Sequence, residues 1–368
     1  MINGVDCQSM LNYMNKRICF VGGGLRGGGQ ERALTSMANY FAGCGHHVSL
    51  INLFKTEQLY ELNDSIEIFW PTTDRDKYHR LIYALLILPY LRRSIRKTKP
   101  DVLLSYGEWF NPFVILSTRF LGVPLYVLDR MGPGIKLDPI VGNARKALYR
   151  IADGVIVQTD IAARLIKEKT GAKRIKVIPN PVTVIDANTS VKKKQIVTIG
   201  RLSHEKGHIV LIRAFARISS NDWTLHVIGD GPELSNLEIE SLNLGISQRV
   251  KFYGFKKDFS KVLGESDIFV LPSFYEGFPN ALIEAMSVPV ACVSSDCIAG
   301  PSDIIKEGIN GLLVQPNNVE QLAFTLNRLI ENPELRRRLA TEAYKVRETY
   351  AFAKIAQQYL DFIFKKND

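Results

Sequence analysis

Residues 17–54 read RICFVGGGLRGGGQERALTSMANYFAGCGHHVSLINLF, and they decide the fold class of the chain. A β-branched and aromatic run is followed by a glycine-rich loop, an amphipathic stretch and a second apolar run, which predicts strand, loop, helix and strand. Four later apolar runs continue this pattern and read DVLLSYG, PLYVLDR, GVIVQT and RIKVIPN. We therefore predict an α/β fold with a parallel sheet and helical crossover connections.

The pattern stops at a polar segment and then begins again. Residues 182–194, VTVIDANTSVKKK, have no core periodicity and are interpreted as a linker. Beyond it, apolar runs resume as IVTIGRL, WTLHVIGDGP, VKFYGF, IFVLPS, PVACVSS and GLLV. The prediction is an N-terminal extension over 1–16, a Rossmann-like domain over 17–181, a second over 195–350 and a C-terminal helix over 351–368. A chain of 368 residues, 46% of them hydrophobic, can bury two such cores.

The net positive charge arises entirely in the first half of the chain. Residues 1–181 hold 25 Lys and Arg against 15 Asp and Glu, whereas the remainder holds 22 of each, so the first half carries the whole net charge of +10. One face of the first domain is therefore expected to meet an anionic partner. A nucleic-acid-binding protein would use such a face, but the chain has no recognised binding motif, so nucleic acid is not expected as a partner.

The cysteines and the first residues indicate the compartment. Five cysteines without a CxxC pair argue against a disulfide scaffold or a zinc ribbon. The first residues lack the apolar core of a signal peptide, and the run Leu81–Leu91 is too short to span a bilayer. We expect a cytoplasmic protein, soluble or peripheral to a membrane.

Three short motifs have an ordinary interpretation. Gly22–Gly27 fits GxGxxG, but the second strand ends in residues 52–54, Asn-Leu-Phe, which hold no acid for the ribose of NAD. His204–His208 spells HExxH, but it follows a predicted strand directly and contains Gly207, so it is not expected to be a zinc-binding helix. Asp74–Asp76 spells DxD and is better explained as the cap of the following helix.

Gly28 and Gly29 stand at the beginning of the first predicted helix. Amide groups at a helix N-terminus attract phosphate and other anions, so we expect anion contact at these glycines. The alternative is a tight strand-to-helix turn without a ligand.

Charged side chains follow two predicted strands of the second domain. Arg201 and Lys206 come after IVTIG, and Glu276 comes after IFVLP. Ligands of α/β sheets collect at the carboxyl ends of strands, where two cations would bind a diphosphate. Pro279 begins a predicted helix that carries Glu284, so both carboxylates can face one cleft and accept hydrogen bonds from sugar hydroxyls. Transfer from a sugar diphosphate is the chemistry predicted.

At these residues the sequence resembles glycosyltransferase family 4, retaining enzymes of GT-B fold. The motifs that carry the resemblance occur in the family's order and are Gly200-Arg201-Leu202, Lys206-Gly207, Gly229–Pro232, Glu276–Pro279, Glu284–Met286, Gly300-Pro301 and Gly308–Leu312. The resemblance implies two Rossmann-like domains that face a central cleft, with a C-terminal helix that returns to the N-terminal domain. It also implies a metal-independent enzyme without a cofactor, whose co-substrate is a nucleotide sugar.

The resemblance also implies roles for single residues. Arg201 and Lys206 would bind the donor diphosphate, and Glu276 would bind the transferred sugar. Glu284 would bind the ribose, Gly254 and Phe255 the base, and the two glycines of the first helix would close on the phosphates. The predicted catalytic residues are Glu276, Arg201 and Lys206. The full predicted donor site consists of Gly28, Gly29, Arg201, Lys206, Gly254, Phe255, Glu276, Gly277, Phe278, Pro279, Asn280 and Glu284.

Two positions depart from the family's pattern. The segment after Glu284 reads EAMSVPV, which is shorter than usual and lacks a glycine, so its turn must be rebuilt. Many relatives carry a histidine after the strand PLYVLDR, where this chain has Asp129 and Arg130. An acceptor-side role for these two residues and structural salt bridging both remain open.

A basic stretch surrounds the apolar run LIYALLILPYL. Residues 75–99 hold eight Lys and Arg against one acid, and the expected acceptor or membrane contacts among them are Arg80, Arg92, Arg93, Arg96 and Lys97. Such a stretch suits an interfacial helix on an anionic leaflet, or a core helix with solvated cations.

The predicted function is transfer of a hexose or N-acetylhexosamine, UDP-linked as the resemblance implies, to a glycan acceptor on a polyprenyl diphosphate, at the inner face of the cell membrane. A sugar-nucleotide epimerase of the same fold is the alternative enzyme class.

Overall fold

The computed structural model describes residues 13, 15–26, 28–130, 132, 137–187 and 191–365. The chain forms two compact units. The first comprises Met1–Asn180 together with Phe352–Asp368, and the second comprises Pro181–Ala351. The C-terminal segment therefore belongs to the first unit, as the fold prediction required.

Each unit is built on one parallel sheet. Among the described residues, the first sheet contains β1 Arg17–Gly22, β2 His47–Asn52, β3 Glu67–Phe69, β4 Val102–Tyr106, β5 Leu125–Asp129, β6 Gly154–Val157 and β7 Ile175–Val177. The second contains β8 Gln195–Ile199, β9 Thr224–Ile228, β10 Val250–Phe252, β11 Ile268–Leu271, β12 Ala291–Ser295 and β13 Leu312–Val314. The strand orders are β3-β2-β1-β4-β5-β6-β7 and β10-β9-β8-β11-β12-β13. Both are Rossmann-like, so the predicted fold class is confirmed.

Helices connect the strands. Those of the first unit are α1 Gly29–Gly43, α2 Arg80–Thr98, α3 Asn111–Thr118, α4 Pro139–Leu148, α5 Asp160–Thr170 and α14 Phe352–Phe364. Those of the second are α6 His208–Phe215, α7 Leu234–Asn243, α8 Ser260–Glu265, α9 Asn280–Met286, α10 Pro301–Ile304, α11 Val319–Glu331, α12 Pro333–Ala343 and α13 Val346–Thr349. Short 3-10 helices cover Arg75–Lys77, Tyr149–Ile151, His204–Lys206 and Ser247–Arg249. The helix α5 shows why the ends fall where they do, because the Thr159 side chain caps its start and Gly171 ends it in the left-handed conformation.

The apolar runs are continuous because the sheets are buried on both faces. In β1, Phe20 packs in a core with α1 and α14, whereas Cys19 and Val21 pack on the other face with α2 and α3. Phe20 lies beside Leu50 of β2 and Leu104 of β4. The second unit has a core on each face of its sheet in the same way.

Two terminal segments are attached to the first unit. Tyr126 of β5 donates a hydrogen bond to the carbonyl of Ile363 at 3.0 Å, which holds α14 against the sheet. Tyr13 lies in the predicted N-terminal extension, yet it is buried and its hydroxyl donates to Asp361 at 2.9 Å. The extension is therefore not loose at Tyr13, whereas residues 1–12 lie outside the described residues.

The segment 182–194, predicted as a linker, packs on the second unit where it is described. Val182 is buried in its core. Lys192 donates to the carbonyls of Gly264 and Ser266 at 3.0 and 2.7 Å, which caps the end of α8. The hydrophobic periodicity of the sequence did not predict these contacts, because each is made by a single residue within a polar segment.

Each sheet has a topological switch point, where consecutive strands of the chain lie on opposite sides. In the first sheet it lies between β1 and β4, and in the second between β8 and β11. The loops that leave the carboxyl ends of such strands run to opposite faces of the sheet, and ligands bind in the crevice between them. Lys206, Glu276, Gly28 and Glu108, described next, lie in or after the loops that follow these four strands.

Candidate active site

The loop after β8 and the loop after β11 approach each other closely. The 3-10 helix His204–Lys206 ends at Gly207, whose φ is +62°. A Cβ atom at Gly207 would lie 2.1 Å from the carbonyl oxygen of Pro272, so only glycine permits this approach. The contact places Lys206 beside the loop that carries Glu276.

Lys206 and Glu276 form the ion pair at this switch point. The Lys206 Nζ lies 2.7 Å from Glu276 Oε1, and the hydroxyl of Ser273 donates to the same oxygen at 2.7 Å. The Glu276 side chain is 6% exposed and that of Lys206 is 27% exposed. Two residues that lie 70 positions apart in the sequence are thus brought together, as the carboxyl-end argument predicted. Their roles in binding stay predictions.

Arg201 begins the same loop. It follows β8 within two residues and is exposed, whereas the next residue, Leu202, is fully buried and fixes the loop. Leu202 donates from its amide to the carbonyl of Asp230 at 2.9 Å. A Cβ atom at Gly229 would lie 1.8 Å from the carbonyl oxygen of Gly200, so this motif glycine serves the packing of the Arg201 loop.

The helix α9 begins as predicted, with Pro279 at its N-cap and Asn280 as its first residue. Glu284 lies in the second turn and is buried, and Phe278 is buried against the ring of Tyr350. Gly277 is half-buried between Glu276 and these residues. The contact of Glu284 with a ribose stays a prediction.

Gly254 and Phe255 lie beyond the carboxyl end of β10. Gly254 adopts a φ of +65° and accepts a hydrogen bond from the amide of Gly229 at 2.9 Å. Phe255 is 78% exposed at this edge of the sheet. An exposed ring in this place is compatible with stacking on a base, which stays a prediction.

The shortened segment after α9 is stabilised by side chains from elsewhere in the second unit. Arg347 donates to the carbonyl of Ser287 at 2.8 Å and to that of Ile185 at 3.0 Å. The amide of Ile185 donates to the Ser287 hydroxyl at 3.2 Å. Ser287 and Val288 are buried, so the missing glycine is replaced by a turn that the segment 182–187 and α13 hold in place.

The metal motifs behave as their ordinary interpretation predicts. The Asp74 side chain accepts a hydrogen bond from the amide of Asp76 and caps the 3-10 helix. Of the two histidines in HExxH, His204 is exposed on a 3-10 turn and His208 is buried at the start of α6. Burial lowers the pKa of His208 to about 4. Within the described residues, no group of three His, Cys, Asp or Glu side chains is arranged to hold a metal ion.

In the first unit, Gly28 is the N-cap of α1 and Gly29 is its first residue. The hydroxyl of Tyr60 bonds both to the amide of Gly28 at 3.3 Å and to its carbonyl at 3.2 Å, which fixes the loop. Contact of these glycines with donor phosphates stays a prediction.

Glu108, which the sequence argument did not single out, lies at the switch point of the first unit. It follows β4 and is 3% exposed. One carboxyl oxygen accepts from the amide of Arg130, and the other from the Gln30 side-chain amide at 3.3 Å. Burial, with a smaller contribution from the neighbouring carboxylate of Asp129, raises the pKa of Glu108 to about 7. Applying the carboxyl-end rule to the run DVLLSYG would have found it.

Asp129 and Arg130 make structural contacts inside the first unit. Asp129 is buried, pairs with the guanidinium of Arg145 at 2.5 Å and accepts from the Tyr149 hydroxyl at 3.0 Å. Arg130 donates to Asn180 at 2.6 Å and to the hydroxyl of Tyr359 at 3.0 Å. Of the two open interpretations, these contacts support structural pairing.

Most of the basic stretch, from Arg80 to Thr98, forms α2, which has two apolar sides. The core side is buried and consists of Tyr83, Ile87, Leu91 and Ile95. The exposed apolar side consists of Leu81, Ile82, Leu85 and Leu86. The core-helix interpretation is confirmed for the buried side, and membrane contact by the exposed side stays a prediction. Among the described residues, no helix is long and apolar enough to cross a membrane.

Several of the cations that were predicted to contact a membrane form ion pairs or hydrogen bonds within the protein. Arg80 pairs with Asp138 at 3.2 Å, and Lys97 with Glu67 at 3.0 Å. Arg92 donates to the carbonyl of Ser117 at 2.8 Å. Arg93 and Arg96 are exposed on the last turns of α2.

Two family models match the chain in sequence. The one described as Glycosyltransferase Family 4 matches residues 27–184, and the one described as Glycosyl transferases group 1 matches residues 184–346. The chain belongs to glycosyltransferase family 4. Both the motif order and the paired Rossmann-like sheets agree with this membership, and the protein is a glycosyltransferase.

Relatives of the family extend over nearly the whole chain. A Campylobacter jejuni enzyme, GalNAc-alpha-(1->4)-GalNAc-alpha-(1->3)-diNAcBac-PP-undecaprenol alpha-1,4-N-acetyl-D-galactosaminyltransferase, is 27% identical over 94% of this chain and 98% of its own length. A glycosyltransferase from Rickettsia africae superposes with a TM-score of 0.82 at 18% identity, over 96% of this chain and 100% of that one. Anabaena HepE in complex with UDP has a TM-score of 0.78 at 20% identity, over 94% of this chain and 98% of that one.

Proposed function

We propose that the protein transfers a hexose or N-acetylhexosamine from a UDP-sugar, with retention of anomeric configuration, to a glycan carried on a polyprenyl diphosphate. The Lys206–Glu276 pair at the switch point of the second unit supports this most directly, since cation and carboxylate meet where α/β sheets bind ligands. The Anabaena relative of this fold was solved with UDP, and the Campylobacter relative is named for a lipid-linked acceptor.

Lys206 and Glu276 have different roles in the proposed transfer reaction. The bond between the sugar C1 and the diphosphate oxygen breaks, and a bond from C1 to an acceptor oxygen forms, while the acceptor proton passes to the departing phosphate. Lys206 and the exposed Arg201 neutralise the charge that develops on that phosphate. Glu276 accepts hydrogen bonds from sugar hydroxyls, because an ionised carboxylate offers several acceptor positions. Neither glutamate acts as a nucleophile in this scheme.

Titration calorimetry with UDP, UDP-glucose and UDP-N-acetylglucosamine tests the donor part. We expect binding without added divalent metal, and much weaker binding after Lys206→Met. The matched control is Lys345→Met, because Lys345 pairs with Glu342 at 2.7 Å on the surface of the same unit. Unchanged UDP affinity in Lys206→Met would contradict the proposed donor site. Turnover of a donor to its epimer without an acceptor would favour the epimerase instead.

The exposed apolar side of α2 supports association with an anionic membrane surface. Ile82, Leu85 and Pro89 recur at helical spacing and are followed on the same stripe by the exposed Arg93 and Arg96. Apolar side chains can enter the acyl region while the cations meet lipid phosphates. This surface would bring the enzyme to a lipid-linked acceptor at the inner face of the membrane.

Sedimentation with vesicles rich in phosphatidylglycerol at low salt tests the membrane part. Leu85→Glu should reduce the bound fraction severalfold, whereas Leu242→Glu should not, although these leucines are 71% and 67% exposed. Arg93→Gln with Arg96→Gln should weaken binding and remove most of its salt dependence. Absence of the wild-type protein from the vesicle pellet would contradict the membrane part and leave the donor site untouched.

A further inference from the structure

The loop Gly107–Phe110 presents a tryptophan at the switch point of the first unit. Trp109 is 53% exposed, whereas its neighbour Glu108 is 3% exposed. The loop leaves the carboxyl end of β4, beside the loop that leaves β1. Trp109 thus stands at the place in this sheet where α/β folds bind ligands.

This loop is rigidly anchored on both sides of Trp109. The ring of Phe110 fills the space above two glycines, since a Cβ atom would lie 2.1 Å from it at Gly107 and 2.9 Å from it at Gly23. The ring of Phe54 meets Phe110 edge-on, with centroids 6.2 Å apart. On the other side, Glu108 is tied to the amide of Arg130. Little conformational entropy would therefore be lost when a ligand contacts the indole.

A polar side chain is bonded to Glu108, the residue that precedes Trp109 in the loop. The Gln30 side chain, in the first turn of α1, donates from Nε2 to Glu108 at 3.3 Å. An amide carries a second N–H and a carbonyl oxygen, so it can both donate to and accept from adjacent hydroxyls. Gln30 is half-buried and thus reachable from the same edge of the sheet.

We propose that Trp109 and Gln30 form a saccharide subsite of the first unit, in which the indole stacks on the apolar face of an acceptor sugar ring and the amide hydrogen-bonds its hydroxyls. Glu108 is a positioning residue that orients Gln30. The inference rests on the proposed function for the identity of the ligand as an acceptor. A neutral sugar ring fits because it combines C–H groups on one face with hydroxyls at its edge, which match an aromatic face and an amide.

Exposure of an aromatic ring is not in itself a sign of binding, and Phe120 provides the internal contrast. Phe120 is 90% exposed and lies between α3 and β5, at the amino end of β5. It is therefore on the opposite edge of the sheet from the switch point. Binding through Trp109 should depend on its place at the carboxyl edge and not on exposure, which makes Phe120→Ala the matched control.

Saturation-transfer NMR tests the subsite with a defined panel of methyl glycosides of glucose, galactose, N-acetylglucosamine and N-acetylgalactosamine, together with chitobiose and lactose. We expect transfer to ring protons of at least one probe. Trp109→Ala should raise its dissociation constant roughly tenfold, Trp109→Phe should retain part of the affinity, and Phe120→Ala should leave it unchanged. Gln30→Leu keeps the side-chain volume but removes the amide. It should weaken binding, but it should reduce saturation transfer to the ring protons on the stacked face less than Trp109→Ala does.

The same samples are titrated with UDP, so that the two proposals fail separately. The subsite is overturned, and the donor site is not, if UDP binds normally but the wild type shows no saturation transfer to any saccharide. The same holds if Trp109→Ala shows as much saturation transfer as the wild type. Loss of UDP binding in Trp109→Ala also overturns it, because that residue would then serve the donor. Saturation transfer to a saccharide by a wild-type protein that does not bind UDP supports the subsite and contradicts the proposed donor.

Discussion

The two switch points have the same topology and different chemistry. In the second unit, a lysine from the loop after β8 pairs with a glutamate from the loop after β11. In the first, an amide of α1 donates to a buried carboxyl from the loop after β4, and the next residue of that loop exposes an indole. A charged pair suits a diphosphate-linked sugar, whereas an indole and an amide suit a neutral saccharide. Under the two proposals, one architecture, used twice, would recognise donor and acceptor through different side chains.

The largest expected effect comes from breaking the charged pair. Lys206→Met or Glu276→Gln should reduce the transfer rate by a factor on the order of 10³, because a preorganised charge that faces the reacting phosphate or sugar is lost. Initial rates with a fixed donor and acceptor measure this. The melting temperature of Lys206→Met should change little, since the Lys206 side chain is partly exposed and Glu276 keeps its hydrogen bond from Ser273. A variant at either position with more than a tenth of wild-type activity would contradict the assignment.

The raised pKa of Glu108 predicts that Glu108→Gln makes the protein more stable, by an amount that depends on pH. Its folded pKa of about 7 lies above the ordinary value of 4.5, so the native state binds the proton more tightly than the unfolded chain does. The stability that this proton provides is complete below the ordinary pKa and is lost as the pH rises through 7. Glu108→Gln should therefore raise the free energy of unfolding by about 3 kcal/mol at pH 8 and by little at pH 4.

Urea unfolding of wild type and Glu108→Gln at the two pH values measures that difference. Asp153→Asn serves as a control, because Asp153 accepts a hydrogen bond from the amide of Leu125 in the same unit but at the amino end of the sheet. A stabilisation that is equal at both pH values would mean that the Glu108 carboxyl does not titrate in this range.

A smaller effect is expected at Gly207, which lets the two loops of the charged pair approach. Gly207→Ala should destabilise the protein by about 2 kcal/mol and weaken UDP binding, because the left-handed backbone and the contact with Pro272 both resist a Cβ atom. Gly245→Ala separates the two causes, since Gly245 has a φ of +69° but nothing within 4 Å of its Cβ position. It should cost about 1 kcal/mol and leave UDP binding unchanged. Equal effects of both variants would show that loop approach does not matter.

Much of the second unit could be predicted from its sequence. Lys206 and Glu276 each follow an apolar run, and parallel strands place their carboxyl ends at one edge, so the rule put both side chains at that edge. That β8 lies beside β11 is seen only in the structure. The start of α9 at Asn280 followed from Pro279 in the same way. These predictions succeeded because the signals are local and the edge rule supplies the rest.

The first unit was harder to predict because its site depends on strand order. The edge rule could have singled out Glu108, but the bond from Gln30 and the place of Trp109 at the switch point depend on β4 lying beside β1, and the sequence between these strands does not reveal that pairing. Asp129 was equally obscure, since its partner Arg145 comes from α4 and its burial depends on tertiary packing. The attachments of Tyr13 and Val182 escaped notice because single buried residues leave no periodic pattern.

Calorimetric titration of UDP into the wild type, Lys206→Met and Trp109→Ala tests most directly whether the two switch points serve different substrates. If the two switch points serve different substrates, Lys206→Met lowers UDP affinity at least a hundredfold, as expected for loss of a charge-assisted contact to a diphosphate, while Trp109→Ala leaves it within twofold of wild type. Wild-type UDP affinity in Lys206→Met, or a comparable loss in both variants, would contradict it.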